Sequence, residues 1–311
     1  MDLLFSFVGL GFPVFLGALA GWGGLFADPD SAIGALNRYA LYVAFPALIA
    51  AGLTGEAFTV PTDPGFWLIV PVAMGLTAGL AGAMGRLPGL RGRAGTLALV
   101  GIFGNVAYVG LPLCEQVLGP SIVGLASLAV SIFVVCSLLL GPTLLLAWSP
   151  GAVADRSPLA SVIRQPLLWS PLLGLVLRWT PWMAGAHDLL TPVGRSAAPV
   201  ALFLLGLYLY ANRSVARPSL AGVAHVGLKL AVFPGILALL CWVALDHGLL
   251  KMQAAQVFLL LAATPTAIAT FALSVEFDSG QEDVAQGIVL STLVSALTLP
   301  LITGWVLSLQ G

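Results

Sequence analysis

Apolar runs long enough to cross a bilayer, roughly 20 residues each, follow one another along almost the whole chain. They lie near residues 3–25, 32–53, 66–85, 94–117, 121–147, 163–180, 188–211, 220–245, 253–275 and 284–309. Apolar residues fill 59% of the 311 positions and charged residues only 8%, too little charge to keep a soluble chain of this length solvated. The unit of organisation is therefore the spanning helix, and the chain reads as an all-α integral membrane protein with ten transmembrane helices. The first run follows Met1-Asp2 without a positively charged leader and ends in Gly21-Trp22-Gly23-Gly24, which favours a retained helix over a cleaved signal. Cys114, Cys136 and Cys241 lie within apolar runs without metal-ligand spacing and read as free thiols.

Two of the runs are interrupted. Gly101–Pro112 reads GIFGNVAYVGLP, and Phe258–Leu273 reads FLLLAATPTAIATFAL with Thr264-Pro265-Thr266 at its centre. Proline inside a helix removes a hydrogen bond and clashes with the preceding turn. Free backbone groups at membrane depth are tolerated only where protein or water satisfies them. Breaks near 104–110 and 264–267 are thus expected to face an interior cavity near the bilayer midplane. Each creates a half-helix N-terminus with partial positive charge, suited to an anion, and exposed carbonyls suited to a cation. Paired breaks in corresponding segments point to the binding site of a secondary carrier.

Asn105 is the leading candidate, because its amide offers donors and an acceptor without carrying charge. Thr264, Thr266 and Thr270 are candidates on the facing segment, with Pro265 as its break. A threonine in such a place also commonly bonds its own helix backbone. Tyr108 lies within the first break, to line the cavity or to pack. Gly104, Gly110 and Pro112 frame that break.

Charge placement sets the topology. With the N-terminus outside, Arg38, Arg86, Arg91, Arg93, Arg156, Arg164, Arg213 and Arg217 fall at the cytoplasmic face, against Arg178, Arg195 and Lys251 outside. Eight against three is a positive-inside bias. It gives a multi-pass protein of the cell (plasma or inner) membrane with both termini extracytoplasmic. Lys229 alone lies within a span, about nine residues from its start and so roughly 13 Å deep. An ionisable residue at that depth is a candidate charge-coupling group, against the alternative of snorkelling to the surface.

The halves read as related. Pro13 and Pro171 are 158 apart, Pro71 and Pro234 163, Pro142 and Pro300 158, and Gly104 and Pro265 161. A shared offset, in order, is the trace of an internal repeat. Residues 1–147 form the first five-helix repeat, 148–162 a cytoplasmic linker rich in Pro, Ser and charge, and 163–311 the second repeat. Five is odd, so the second copy enters the membrane from the opposite side, a 5+5 inverted repeat.

Other classes find little support. A net charge of −1 without a basic arm offers nothing to nucleic acid. His187, His225 and His247 are scattered, and Glu115, Glu276, Asp278, Glu282 and Asp283 read as surface groups. No nucleophile elbow, P-loop or dinucleotide fingerprint occurs. The chain is not expected to be an enzyme, and it carries no Walker motif of its own.

The motifs, taken together, resemble the auxin efflux carrier family, which includes the PIN-type auxin transporters. They are Leu36-Asn37-Arg38-Tyr39 with Phe45-Pro46-Ala47-Leu48, then Gly104-Asn105 through Gly110-Leu111-Pro112, Lys229-x4-Pro234, Thr264-Pro265, and Ser291 to Pro300. The fold this implies is bile acid/sodium symporter-like (NhaA-like), with helices 4 and 9 broken and crossing at the substrate site. Asn105 then stands beside the first crossover and Pro265 in the second. The chain departs from the plant carriers at Gly104, where they have proline, and at Thr266, where they have a polar amide. The resemblance implies a carrier of a small organic anion, a dicarboxylate such as malate or malonate or an auxin-like acid, working by alternating access. It implies no cofactor, coupling to H+ or Na+ as an open question, and a homodimer in the lipid bilayer. A passive anion channel or exporter without ion coupling is the competing reading.

Overall fold

The computed structural model describes residues 2–55, 58–149, 166–215 and 217–309. Among them the regular elements are helical, apart from one isolated antiparallel pair between Gly104 and Thr266. In chain order they are α1 (Asp2–Trp22), α2 (Pro29–Thr54), α3 (Pro64–Met84), α4 (Ala94–Ile102), α5 (Val106–Leu118) and α6 (Pro120–Trp148). Then come α7 (Pro166–Arg178), α8 (Met183–Ala211), α9 (Leu220–Asp246), α10 (Met252–Ala262), α11 (Ala269–Glu276) and α12 (Gln281–Ser308). Among the described residues six helices, α2, α3, α6, α8, α9 and α12, are long and apolar enough to cross a membrane. The expected linker falls outside the described residues beyond Trp148 and Ser149.

The outward faces are those of a protein solvated by lipid. Along α12, Leu293, Leu297 and Leu301 are 52%, 74% and 73% exposed, while Ser291, Ser295 and Thr303 are buried. The leucines recur every four residues and so share one face. This arrangement inverts that of a water-facing helix and is economical where only hydrocarbon lies outside.

Three helices absorb proline in the same way. A wide π turn covers Ala40–Ala44 before Phe45-Pro46, Val106–Gly110 before Leu111-Pro112, and Leu228–Val232 before Phe233-Pro234. In α2 the Phe45 N–H reaches back five residues to the Ala40 carbonyl, and in α9 Phe233 does the same to Leu228. The added residue widens the turn where the proline ring would meet the carbonyl four residues back. The helix continues past the proline, and the side chains of the wide turn are re-aimed. Lys229 is one of them.

The chain forms two compact units. The first comprises Met1–Pro61, Ala107–Ser131 and Gln165–Arg213. Its α1 and α8 touch backbone to backbone: a Cβ on Gly17 would run into the carbonyl oxygen of Phe203, and one on Gly206 into that of Val14. Small residues allow this approach, which replaces the hydrophobic driving force missing in lipid. Arg178, at the end of α7, donates to the carbonyls of Leu53, Gly55 and Phe58 at 3.2, 2.9 and 2.6 Å. A cation thus caps the C-terminal end of α2.

The second unit comprises Thr62–Val106, Ile132–Arg164 and Ser214–Gly311. Phe66, Phe133, Phe233 and Phe258 cluster in its interior, with ring centroids 5.2–6.3 Å apart. Both units draw on both halves of the sequence.

Candidate functional site

Within the second unit, α4 stops at Ile102 and α10 at Ala262, and a short non-helical stretch follows each. The two stretches pair with each other. Asn105 N–H donates to the Pro265 carbonyl at 2.7 Å, and Ala267 N–H to the Phe103 carbonyl at 3.0 Å, flanking Gly104 and Thr266. Each break therefore satisfies backbone groups that the other leaves open, which meets the demand of a low-dielectric interior. Thr266 N–H goes elsewhere, to Ser291 Oγ on α12 at 3.0 Å.

Side chains complete the helix ends. Thr266 Oγ1 donates to the Val100 carbonyl at 3.3 Å, and Ser137 Oγ on α6 to the Ile102 carbonyl at 3.4 Å. At the end of α10, Lys229 Nζ donates to the Ala262 carbonyl at 2.8 Å and lies 4.8 Å from the centroid of the Phe233 ring. Lys229 is 0% exposed, so it does not snorkel to the surface. Gly104 makes room for it: a Cβ there would stand 3.2 Å from Lys229 Nζ and 2.9 Å from Thr264 Oγ1.

Asn105 is buried, and its amide nitrogen Nδ2 has no hydrogen-bond partner. Thr264 and Thr270 are also buried, but their hydroxyls bond their own backbone, to Leu261 and Ala267, each at 2.7 Å. Thr266 alone of the three threonines reaches the other broken helix. The crossing thus brings together Gly104, Asn105, Thr264, Pro265, Thr266 and Lys229. Tyr108 belongs to the first unit, where its hydroxyl donates to Asn37 Oδ1 at 2.6 Å and its ring stacks on Phe45 at 4.9 Å. Gly110 and Pro112 finish the wide turn of α5 and start the segment after it, outside the paired stretch.

Ser137 and Ser291 were not among the expected site residues. Their sequence signal is weak, a hydroxyl on an unbroken apolar helix. Asp283, expected at the surface, is partly covered and holds Arg93 at 2.7 Å.

The pattern described as membrane transport protein matches residues 8–303. The chain belongs to this family, that of the auxin efflux carrier-like transporters. A curated relative, an uncharacterized transporter of Methanothermobacter thermautotrophicus, is 28% identical over 288 residues, covering 89% of this chain and 90% of the relative. The family members are membrane transporters and not enzymes.

Proposed function

We propose that this transporter carries a small organic anion, a dicarboxylate such as malate or malonate or an auxin-like acid, through the crossing by alternating access. The observation that carries the reading is the Asn105 amide, a buried donor without an acceptor at the crossing of two broken helices. Leaving such a donor unpaired costs about 1–3 kcal/mol, which a carboxylate oxygen would remove on binding. The first turn of α11 lacks a side-chain cap, and its partial positive charge favours the same ligand.

In this reading α4 with α5, and α10 with α11, are the two broken passes among ten. The halves 1–147 and 163–311 are repeats of opposite orientation, joined by the cytoplasmic segment 148–162, with both termini outside. Alternating access would move the crossing against the glycine-packed α1 and α8.

The test is counterflow of radiolabelled malate, malonate and indole-acetate in liposomes, wild type beside Asn105→Ala. Saturable counterflow that falls at least tenfold in Asn105→Ala, with folding intact, supports carrier and site together. Transport that survives the substitution removes Asn105 from the site. Flux that rises linearly with concentration identifies a passive channel.

A further inference from the structure

A cavity of about 240 Å³ lies wholly within the first unit and shares no residue with the crossing. Its walls come from the end of α2, the end of α5, the start of α6 and the first half of α8. Glycines set these helices against one another. A Cβ on Gly124 would stand 2.6 Å from the Gly52 carbonyl oxygen, and one on Gly194 would stand 2.7 Å from Leu48 Cα. The frame is thus backbone against backbone, which a small ligand need not reorganise. Two opposite charges line this space without meeting. Arg195 is exposed and Glu115 half-buried, and among the described residues neither forms an ion pair. The cation beside them is spent, because the Arg178 guanidinium donates to the carbonyls of Leu53, Gly55 and Phe58. His187 lines the cavity too, with Nδ1 3.0 Å from the Ala51 carbonyl. Donating there, Nδ1 holds the proton and leaves Nε2 of the neutral ring as an acceptor.

We propose that this cavity binds a small zwitterion of the amino-acid class, as a second ligand of the transporter held apart from the crossing. A simple anion on Arg195 would share the small space with the Glu115 carboxylate. A simple cation on Glu115 would share it with the Arg195 guanidinium, and like charges so confined repel. A molecule carrying both charges meets neither penalty. Its carboxylate takes the fork of the guanidinium, and its ammonium takes Glu115 and His187 Nε2. Phe58 and Val123 give the cavity apolar wall for a short side chain or methylene stem. Bound this way, the zwitterion bridges the end of α5 to α8 and so stabilises the first unit.

The test is thermal melting of the purified full-length protein with L-alanine, β-alanine and 4-aminobutyrate, zwitterions of increasing charge separation. Propionate and ethylammonium serve as the single-charge halves at equal ionic strength. Every arm is repeated in Asn105→Ala, which removes the free donor at the crossing, so that a response there reports this cavity. At least one zwitterion is expected to raise the melting temperature saturably in both proteins, by about 2–4 °C at about ten times its dissociation constant. In Asn105→Ala neither half should do so. Glu115→Gln and Arg195→Gln are each expected to lose at least tenfold in zwitterion affinity. Glu115→Gln should then respond to propionate and Arg195→Gln to ethylammonium, an exchange of preference that a folding defect cannot mimic. Indifference of the wild type to all three zwitterions overturns the proposal. So does a propionate response in Asn105→Ala equal to that of the best zwitterion. A zwitterion response that vanishes in Asn105→Ala places the ligand at the crossing and overturns it as well. If Asn105→Ala fails to fold, the exchange of preference decides, because binding at the crossing would survive both glutamine variants unchanged.

Discussion

α4 and α10 arrive at the crossing with the same deficit, a row of carbonyls without helical partners, and different donors meet them. At α4 the donors are the hydroxyls of Thr266 and Ser137, at 3.3 and 3.4 Å. At α10 the donor is the Lys229 ammonium at 2.8 Å. The backbone pairing between the breaks is nearly symmetric, with one N–H···O bond on each side of Gly104 and Thr266, but the electrostatics are not. One end is closed by long, neutral bonds and the other by a short, charge-assisted one, the stronger kind. Two similar helix ends can therefore be closed by different chemistries, one by neutral hydroxyls and one by a lysine.

The sharpest way to break the comparison is Lys229→Met, which keeps most of the side-chain length and removes the charge. Hydrogen bonds to charged groups contribute about 1.5–3 kcal/mol, so loss of this one at the site is expected to lower exchange by up to ~100-fold. Stability should move the other way or little. Replacing a buried charge by a packed apolar group is often neutral or stabilising, and the melting temperature is expected to stay within about 4 °C of wild type. A large drop in melting temperature with exchange per folded molecule unchanged would show that the lysine holds the fold and has no part in transport.

Next is Thr266→Val, which keeps the β-branched shape, removes the hydroxyl on the Val100 carbonyl and leaves the backbone bond to Ser291 in place. A neutral bond of this kind is worth about 1 kcal/mol, so exchange should fall about fivefold. An effect as large as that of Lys229→Met would remove the asymmetry.

The sequence announces this site unevenly. The breaks are visible because Gly104-Asn105 and Thr264-Pro265-Thr266 interrupt runs that are otherwise apolar, and the crossing lies where they do. The third span, expected near 66–85, is the helix Pro64–Met84, because nothing in that run stops it and a glycine follows. Lys229 was recognisable by its depth, but depth alone leaves snorkelling open. Complete burial and the Ala262 carbonyl close it. The wide turns were only half legible, since Phe-Pro and Leu-Pro mark a disturbed helix without saying whether it kinks or widens. Which hydroxyl meets which carbonyl was not legible, because Ser137 and Ile102 are 35 residues apart and Thr266 and Val100 are 166 apart. Tyr108 illustrates the converse. Its place in the break left it either to line a cavity or to pack, and its hydroxyl bonds Asn37 while its ring stacks on Phe45.

The smallest expected effect gives the finest test of the neutral end. Ser137 Oγ donates to the Ile102 carbonyl at 3.4 Å, a long and weak hydrogen bond. Ser137→Ala removes it and leaves a methyl group in a buried place. If hydroxyls close α4 only weakly, the melting temperature should shift by less than about 2 °C and exchange should change less than twofold. A variant that lost exchange tenfold would mean that transport depends on the neutral α4 end at least as much as on the α10 end. The ammonium at α10 would then be a structural cap, and the comparison between the two helices would have to be reversed.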